Sequence, residues 1–236
     1  MPGHKGMGEV ETFDITEIEG ADVLYSPKGI IRESENNAAR LFGTARTVYS
    51  AEGSSLSIRA MLYLAMLWGK EQGKGSTVLA ARNAHKTFIS GAALLDLDVE
   101  WIYGEGSTLC ECEVGAAELD AKLEKMHRAG KSPFAVYLTS PDYLGNILDI
   151  RALSEVCRKY GVLCLVDNAH GAYLAFFENS MHPIALGAHM CADSAHKTLP
   201  VLTGGSYLHL SLGLPEWTYA RADDAMALFA STRGYG

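Results

Sequence analysis

The sequence predicts an α/β fold with a mostly parallel, doubly wound sheet and helices on both faces, and three observations point to it. Short apolar runs of strand type alternate with longer segments of helical periodicity from Arg46 to Leu210. One run, Val162 to Val166, is apolar at every position, as a strand buried on both faces must be. Polar and charged residues fall just past the ends of several runs, where a doubly wound sheet presents its carboxyl edge. A chain of 236 residues is long enough for one such domain, burying roughly three-quarters of its unfolded surface. One domain over residues 1–236 is therefore expected.

Residues 1–31 carry the turn signals Pro2-Gly3, Gly20 and Pro27-Lys28-Gly29 and read as a loop-rich start. From Glu33 to Phe42, Ala38, Ala39, Leu41 and Phe42 share one face of a helix that Gly43 ends. Arg46–Ser50 reads as a strand, and after Gly53-Ser54-Ser55 an apolar helix runs to about Lys70. Thr77–Ala81 is the next strand, followed past Arg82-Asn83-Ala84-His85-Lys86 by a helix to about Leu95. Val99–Tyr103 is a strand, and Gly115–Ala129 a helix with Leu119, Leu123 and Met126 on one face. Phe134–Thr139 is a strand leading into Ser140-Pro141-Asp142-Tyr143-Leu144-Gly145, ordinary turn chemistry in which Asp142 reads as structural. Ile150–Tyr160 is a helix stopped by Gly161, and Val162–Val166 the apolar strand before Asp167. Met190–Asp193 leads into Ser194-Ala195-His196-Lys197-Thr198-Leu199-Pro200, Tyr207–Leu210 is a last strand, and a helix is expected from Pro215 through Phe229.

Composition removes several classes of function. A net charge of −8 leaves no basic stripe for nucleic acid and is compatible with a small cationic substrate. Five cysteines without a spaced framework or a secretion signal read as reduced thiols of a cytoplasmic protein. Cys110-Glu111-Cys112 lacks the second pair that a metal site needs, and His182, His189 and His209 have no partners at ligand spacing, so they read as core or surface residues and no metal is expected. No apolar run reaches a membrane span, and Met1 to Gly6 opens no signal peptide.

The chemistry concentrates at four places. Lys197, flanked by Ser194, His196 and Thr198, is an amine beside phosphate-ligand side chains, of the kind that forms a Schiff base with a carbonyl cofactor. Gly53, Ser54 and Ser55 between a strand and a helix offer backbone N–H groups and hydroxyls to an anion, while a plain serine cap would use the same donors. His85, at a strand's carboxyl end, suits either a helix cap or a group stacked on an aromatic ring. Asp167 suits either a turn cap or a bond to a protonated pyridine nitrogen. Amine, carboxylate, phosphate cradle and stacking group together are what pyridoxal 5′-phosphate requires.

With these residues assembled, nearly the whole chain resembles the major domain of the Orn/Lys/Arg decarboxylases, pyridoxal-phosphate enzymes of the aspartate-aminotransferase fold (fold type I). The resemblance rests on Pro2-Gly3-His4-Lys5-Gly6, Asp14-Ile15-Thr16-Glu17, Gly53-Ser54-Ser55, Arg82-Asn83-Ala84-His85-Lys86, Val166-Asp167-Asn168-Ala169-His170-Gly171 and Ser194-Ala195-His196-Lys197-Thr198-Leu199. It implies Lys197 as the Schiff-base lysine, Ser194 and His196 on the phosphate with Ser54 and Ser55, and Asp167 on the pyridine nitrogen. It also implies His85 stacked on the ring, Ala169 on its opposite face and His170 near the phenolic oxygen. His196 or Lys197 would return the proton to the substrate carbon. The implied reaction is decarboxylation of lysine, ornithine or arginine in a homodimer with its active site at the interface.

Two departures stand out. The family's glutamine after Leu-Thr is Gly204 here, and its later Ser-Thr-Ser-Pro-Ser-Tyr appears as Ser231-Thr232-Arg233-Gly234-Tyr235-Gly236. The family's smaller carboxyl-terminal domain has no counterpart, which reads as a truncated or fragmentary decarboxylase. Two alternatives remain: another fold-type I enzyme, such as an aminotransferase or lyase, and a domain that binds cofactor without turnover.

Overall fold

A computed structural model describes residues 20–106, 108 and 110–231. The Pro2 to Gly6, Asp14 to Glu17 and Thr232 to Gly236 readings lie outside the described residues. One seven-stranded sheet organises the chain, in the order β1-β7-β6-β5-β4-β2-β3. The strands are β1 (Arg46–Ser50), β2 (Thr77–Ala81), β3 (Asp98–Ile102), β4 (Ala135–Thr139), β5 (Leu163–Asp167), β6 (Met190–Asp193) and β7 (Ser206–Leu210). β3, β2, β4, β5 and β6 run parallel, whereas β7 is antiparallel to both β6 and β1.

Period-2 burial explains how two helical layers fit on one sheet. Val78, Ala80, Ala135, Tyr137, Leu163 and Leu165 face one core, beneath α2 (Ser54–Glu71), α3 (Lys86–Leu94) and α8 (Ala222–Phe229). Leu79, Ala81, Val136, Leu138, Cys164 and Val166 face the other, beneath α4 (Ala116–Arg128) and α5 (Ile150–Lys159). Strands sandwiched in this way lose polar alternation; β4, β5 and β6 are buried at every position. β3, at the sheet's edge, keeps its exposed Asp98 and Glu100.

Three local features depart from the sequence reading. Helix α1 (Ile30–Phe42) starts inside the stretch read as loop. The Asp22 carboxylate accepts the backbone N–H groups of Lys28, Gly29 and Ile31, each at 2.9 Å, so a residue well before the helix satisfies its free donors. Gly43 closes the helix as expected, in the left-handed conformation with φ 66°. The helix expected from Pro215 is two, α7 (Glu216–Ala220) and α8, broken at Arg221. A 3-10 turn at Ala172–Phe176 has no counterpart in the sequence reading, and the short α6 (Ala195–Thr198) carries the lysine segment.

Helix α2 crosses the centre of its layer and comes closest to the sheet at Gly69. A Cβ there would lie 2.5 Å from the Cβ of Phe134, a fully buried ring, so only glycine permits this approach. Gly69→Ala is expected to lower stability by about 1–3 kcal/mol in urea denaturation. Gly75→Ala, where a new Cβ meets nothing within 4 Å, should stay within about 0.5 kcal/mol.

Candidate active site

The strand order reverses between β2 and β4. The chain leaves β2 toward β3 on one side, then returns through α4 to place β4, β5 and β6 on the other. At such a switch point the loops leave in opposite directions and open a crevice at the carboxyl edge. The cleft found there is lined by His85 after β2, Thr139, Pro141 and Tyr143 at and after β4, Asp167, Ala169 and His170 at and after β5, Lys197 on α6, and Ser54 at the start of α2.

Asp167 ends β5, opposite Thr139 in the parallel register, and is 2% exposed. A carboxylate this deep needs donors. Tyr137 donates its hydroxyl to Oδ2 at 3.0 Å, and the Ala169 N–H reaches Oδ1 at 3.2 Å. Burial raises the Asp167 pKa above the ordinary carboxylate value, opposed by those two bonds and by the charges of His85 and Lys197. Lys197 is exposed, with Nζ 3.2 Å from His170 Nε2. Burial, with the positive charges of Lys197 and His85, lowers the His170 pKa. A neutral His170 accepts that bond from the ammonium.

The start of α2 faces the same cleft. Gly53 is its N-cap, with φ 72° and no side-chain cap, so the plain serine cap is not what forms; Ser54 and Ser55 are the first helical residues. Ser194 donates its hydroxyl to Ser54 Oγ at 2.7 Å, joining the end of β6 to this helix start. His85 is at once cap and lining residue: it is the N-cap of α3, accepting the Thr87 N–H at Nδ1 over 3.3 Å. The Ser55 hydroxyl is 3.0 Å from that of Thr87, and Ser55 does not line the cleft. Nor does His196, whose Nδ1–H donates to the Gly205 carbonyl at 2.9 Å.

Thus Ser54, His85, Asp167, Ala169, His170 and Lys197 meet around one cleft, with Ser194 behind Ser54. Gly53 caps α2, while Ser55 is tied to Thr87 on α3 and His196 to the Gly205 backbone. Sequence reasoning missed Tyr137, Thr139 and Tyr143. Tyr143 was within an ordinary turn, yet its ring lies 5.3 Å from that of His170; its place just past a strand's carboxyl end was the available signal. Asp142 closes that turn, accepting the backbone N–H groups of Leu144 and Asn146. At Gly204, φ is +93° and a Cβ would overlap the Ala51 carbonyl, so this backbone calls for glycine.

The donor set fits pyridoxal phosphate: an amine, a buried carboxylate, an imidazole, and a helix start with two hydroxyls beside it. Thr139 Oγ1, buried in the lining, has no hydrogen-bond partner. The cavity enclosed by the cleft itself is about 40 Å³, below the roughly 300–1,000 Å³ of small-molecule sites.

Fold and cleft together define the class: a doubly wound α/β domain that gathers an amine, a carboxylate and a helix start at its switch point. Residues 7–235 match the family described as Orn/Lys/Arg decarboxylase, major domain, and the chain belongs to it. An arginine decarboxylase of Bacillus subtilis is 30% identical over 230 residues, covering 91% of this chain and 45% of that protein. Lysine decarboxylase A from Pseudomonas aeruginosa superposes with a TM-score of 0.73 at 21% identity, over 89% of this chain and 30% of that one. Oryza sativa TDC with PLP superposes with a TM-score of 0.66 at 16% identity, over 82% of this chain and 45% of that one. The chain spans about half the length of the curated Bacillus relatives it matches. No helix among the described residues is long and apolar enough to cross a membrane.

Because the folded-state pKa of Asp167 lies above its unfolded value, its contribution to stability is complete below the unfolded value and is lost as pH rises through the folded one. Tyr137→Phe removes a donor to the ionised form. The variant is expected to lose about 1.5–3 kcal/mol more than the wild type at neutral pH, with a steeper fall in urea stability as pH rises from 4 to 8. Parallel profiles would show that the hydroxyl does not support the charged carboxylate.

Proposed function

We propose that this chain is the cofactor-binding domain of a pyridoxal-phosphate-dependent decarboxylase acting on a basic amino acid: arginine, lysine or ornithine. The observation that carries the reading is the convergence of Lys197 Nζ and the buried Asp167 carboxylate on one cleft at the switch point. The family supports the reaction class. The Bacillus relatives named arginine decarboxylase put arginine first among the substrates.

When bound, pyridoxal phosphate supplies an electron sink for the bond that releases CO₂. The residues of the chain divide the remaining work. Ser54 and the first N–H groups of α2 would hold the phosphate, with Ser194 supporting Ser54 from behind. His85 and Ala169, which both line the cleft, would pack against the ring. Asp167, oriented by Tyr137 and Ala169, holds the proton on the ring nitrogen. His170 accepts a hydrogen bond from Lys197, keeping the amine at the cleft. Lys197 lines the cleft and His196 does not, so Lys197 is the donor that would return a proton to the substrate carbon. The mouth carries the exposed Tyr143, and a second copy of the chain covering it makes the working form a homodimer. The five cysteines are free, which suits a cytoplasmic setting.

The protein supplied with pyridoxal phosphate is expected to release CO₂ from one of the three basic amino acids and to yield the matching amine. Lys197→Ala should lower that rate by several orders of magnitude. A keto acid in place of CO₂ would assign an aminotransferase; cofactor uptake without turnover would leave a binding domain.

A further inference from the structure

Beneath the cleft lies a second polar cluster that the reading above does not use. Asp193, the last residue of β6, is fully buried, as are His182, His209, Cys191 and Asn168 around it, although His182 and His209 have no partner at ligand spacing in the sequence. His182 Nε2 is 3.1 Å from Asp193 Oδ2, and His209 Nε2 is 3.3 Å from the same oxygen without a directed hydrogen bond. On Oδ1, the Asn168 amide donates at 2.7 Å and the Cys191 thiol at 3.3 Å. Strand pairing makes the cluster, since Cys191 sits opposite His209 across β6 and β7.

Two imidazoles and a carboxylate at this range have the composition of a metal site, but the protons argue otherwise. His182 Nδ1 accepts the Ile184 N–H at 3.4 Å, which leaves the proton of a neutral ring on Nε2, pointing at Asp193. His209 Nδ1 lies 2.9 Å from the Thr47 hydroxyl, and a bare Nε2 lone pair against a carboxylate would repel it. A cation here would have to displace the Nε2 protons, whereas the protonated rings suit the carboxylate directly. The arrangement is a nest of donors around an anion.

What the anion holds is Asn168. The Asn168 backbone N–H extends the ladder to the Ala192 carbonyl at 2.9 Å, and its side chain fills the space under the turn. A Cβ on Gly171 would overlap Asn168 Oδ1 and lie 2.6 Å from Pro141 Cδ. Asn168 sits between Asp167 and the lining residues Ala169 and His170. We propose that Asp193 is a positioning residue for the cofactor cleft: its buried carboxylate, fixed by His182, His209 and Cys191, anchors Asn168 and thereby sets the Asp167–His170 turn. The effect on cofactor rests on the pyridoxal-phosphate reading; the anchoring of the turn does not.

The test is a double-mutant cycle with Asp193→Asn, Asn168→Ala and the double variant. Two properties are read: amide hydrogen exchange at Ala169 and Gly171 in the cofactor-free protein, and the dissociation constant for pyridoxal phosphate. Each single variant should speed exchange at these amides about tenfold and weaken cofactor binding by a similar factor. The double variant should be no worse than the worse single, because both remove one link. Unchanged exchange in a folded Asp193→Asn variant, or effects that add, would overturn the proposal. Should Asp193→Asn not fold, Asn168→Ala alone decides by the same exchange readout, since it leaves the strands and histidines intact. One equivalent of zinc in the purified wild type would also overturn it. A wild type that does not take up pyridoxal phosphate but shows the exchange pattern would refute the cofactor reading and leave the anchoring standing.

Discussion

The structure depends on one constraint: a carboxylate buried at the end of a central strand must be supplied with donors by its neighbours. Asp167 meets this through its neighbours in the sheet. Tyr137 donates from the adjacent strand, two residues before the position paired with Asp167, and the turn after β5 curls an N–H back onto the carboxylate. The first depends on the parallel register of β4 and β5, in a sheet covered by helices on both faces; the second is local to the turn. Burial makes the charge expensive, and the same low dielectric strengthens every contact the carboxylate makes. The cleft is thus a consequence of the sheet's topology, at the point where loops diverge.

Much of this architecture is legible in the residues. The boundaries of β1 and β2 are legible in short strand-type segments between turn residues, and Gly43 ends α1 through a left-handed conformation that glycine adopts without cost. Lys197, Asp167 and His85 stand out because each follows an apolar run, and position relative to a strand is a local property. Features made by distant residues are not legible in this way. Helix α1 starts early because Asp22 folds back on its first N–H groups, which no helix pattern encodes. The two histidines around Asp193 have no common spacing in sequence and meet only because β7 pairs antiparallel with β6 and a loop returns beneath it. Tyr137 reads as one more apolar residue of a buried strand, and only its hydroxyl's partner gives it a role.

The site therefore has two tiers. The upper one lines the cleft and contains groups open to solvent, Lys197 among them. The lower one, around Asp193, is fully buried and closed to exchange of partners. β5 and β6 end side by side, so the residues that follow them reach both tiers: Asp167 and His170 above, Asn168 below. Packed support beneath a cleft matches the general demand that functional groups be fixed by packed neighbours. Ser194, directly after Asp193, ties the same support to the start of α2.

The most direct test of the account is where the cofactor attaches. Pyridoxal phosphate added to the purified chain, reduced with borohydride and followed by peptide mass mapping, should leave the cofactor mass on the peptide containing Lys197. Attachment spread over surface lysines, or no attachment to a folded protein, would contradict the cleft as a cofactor site.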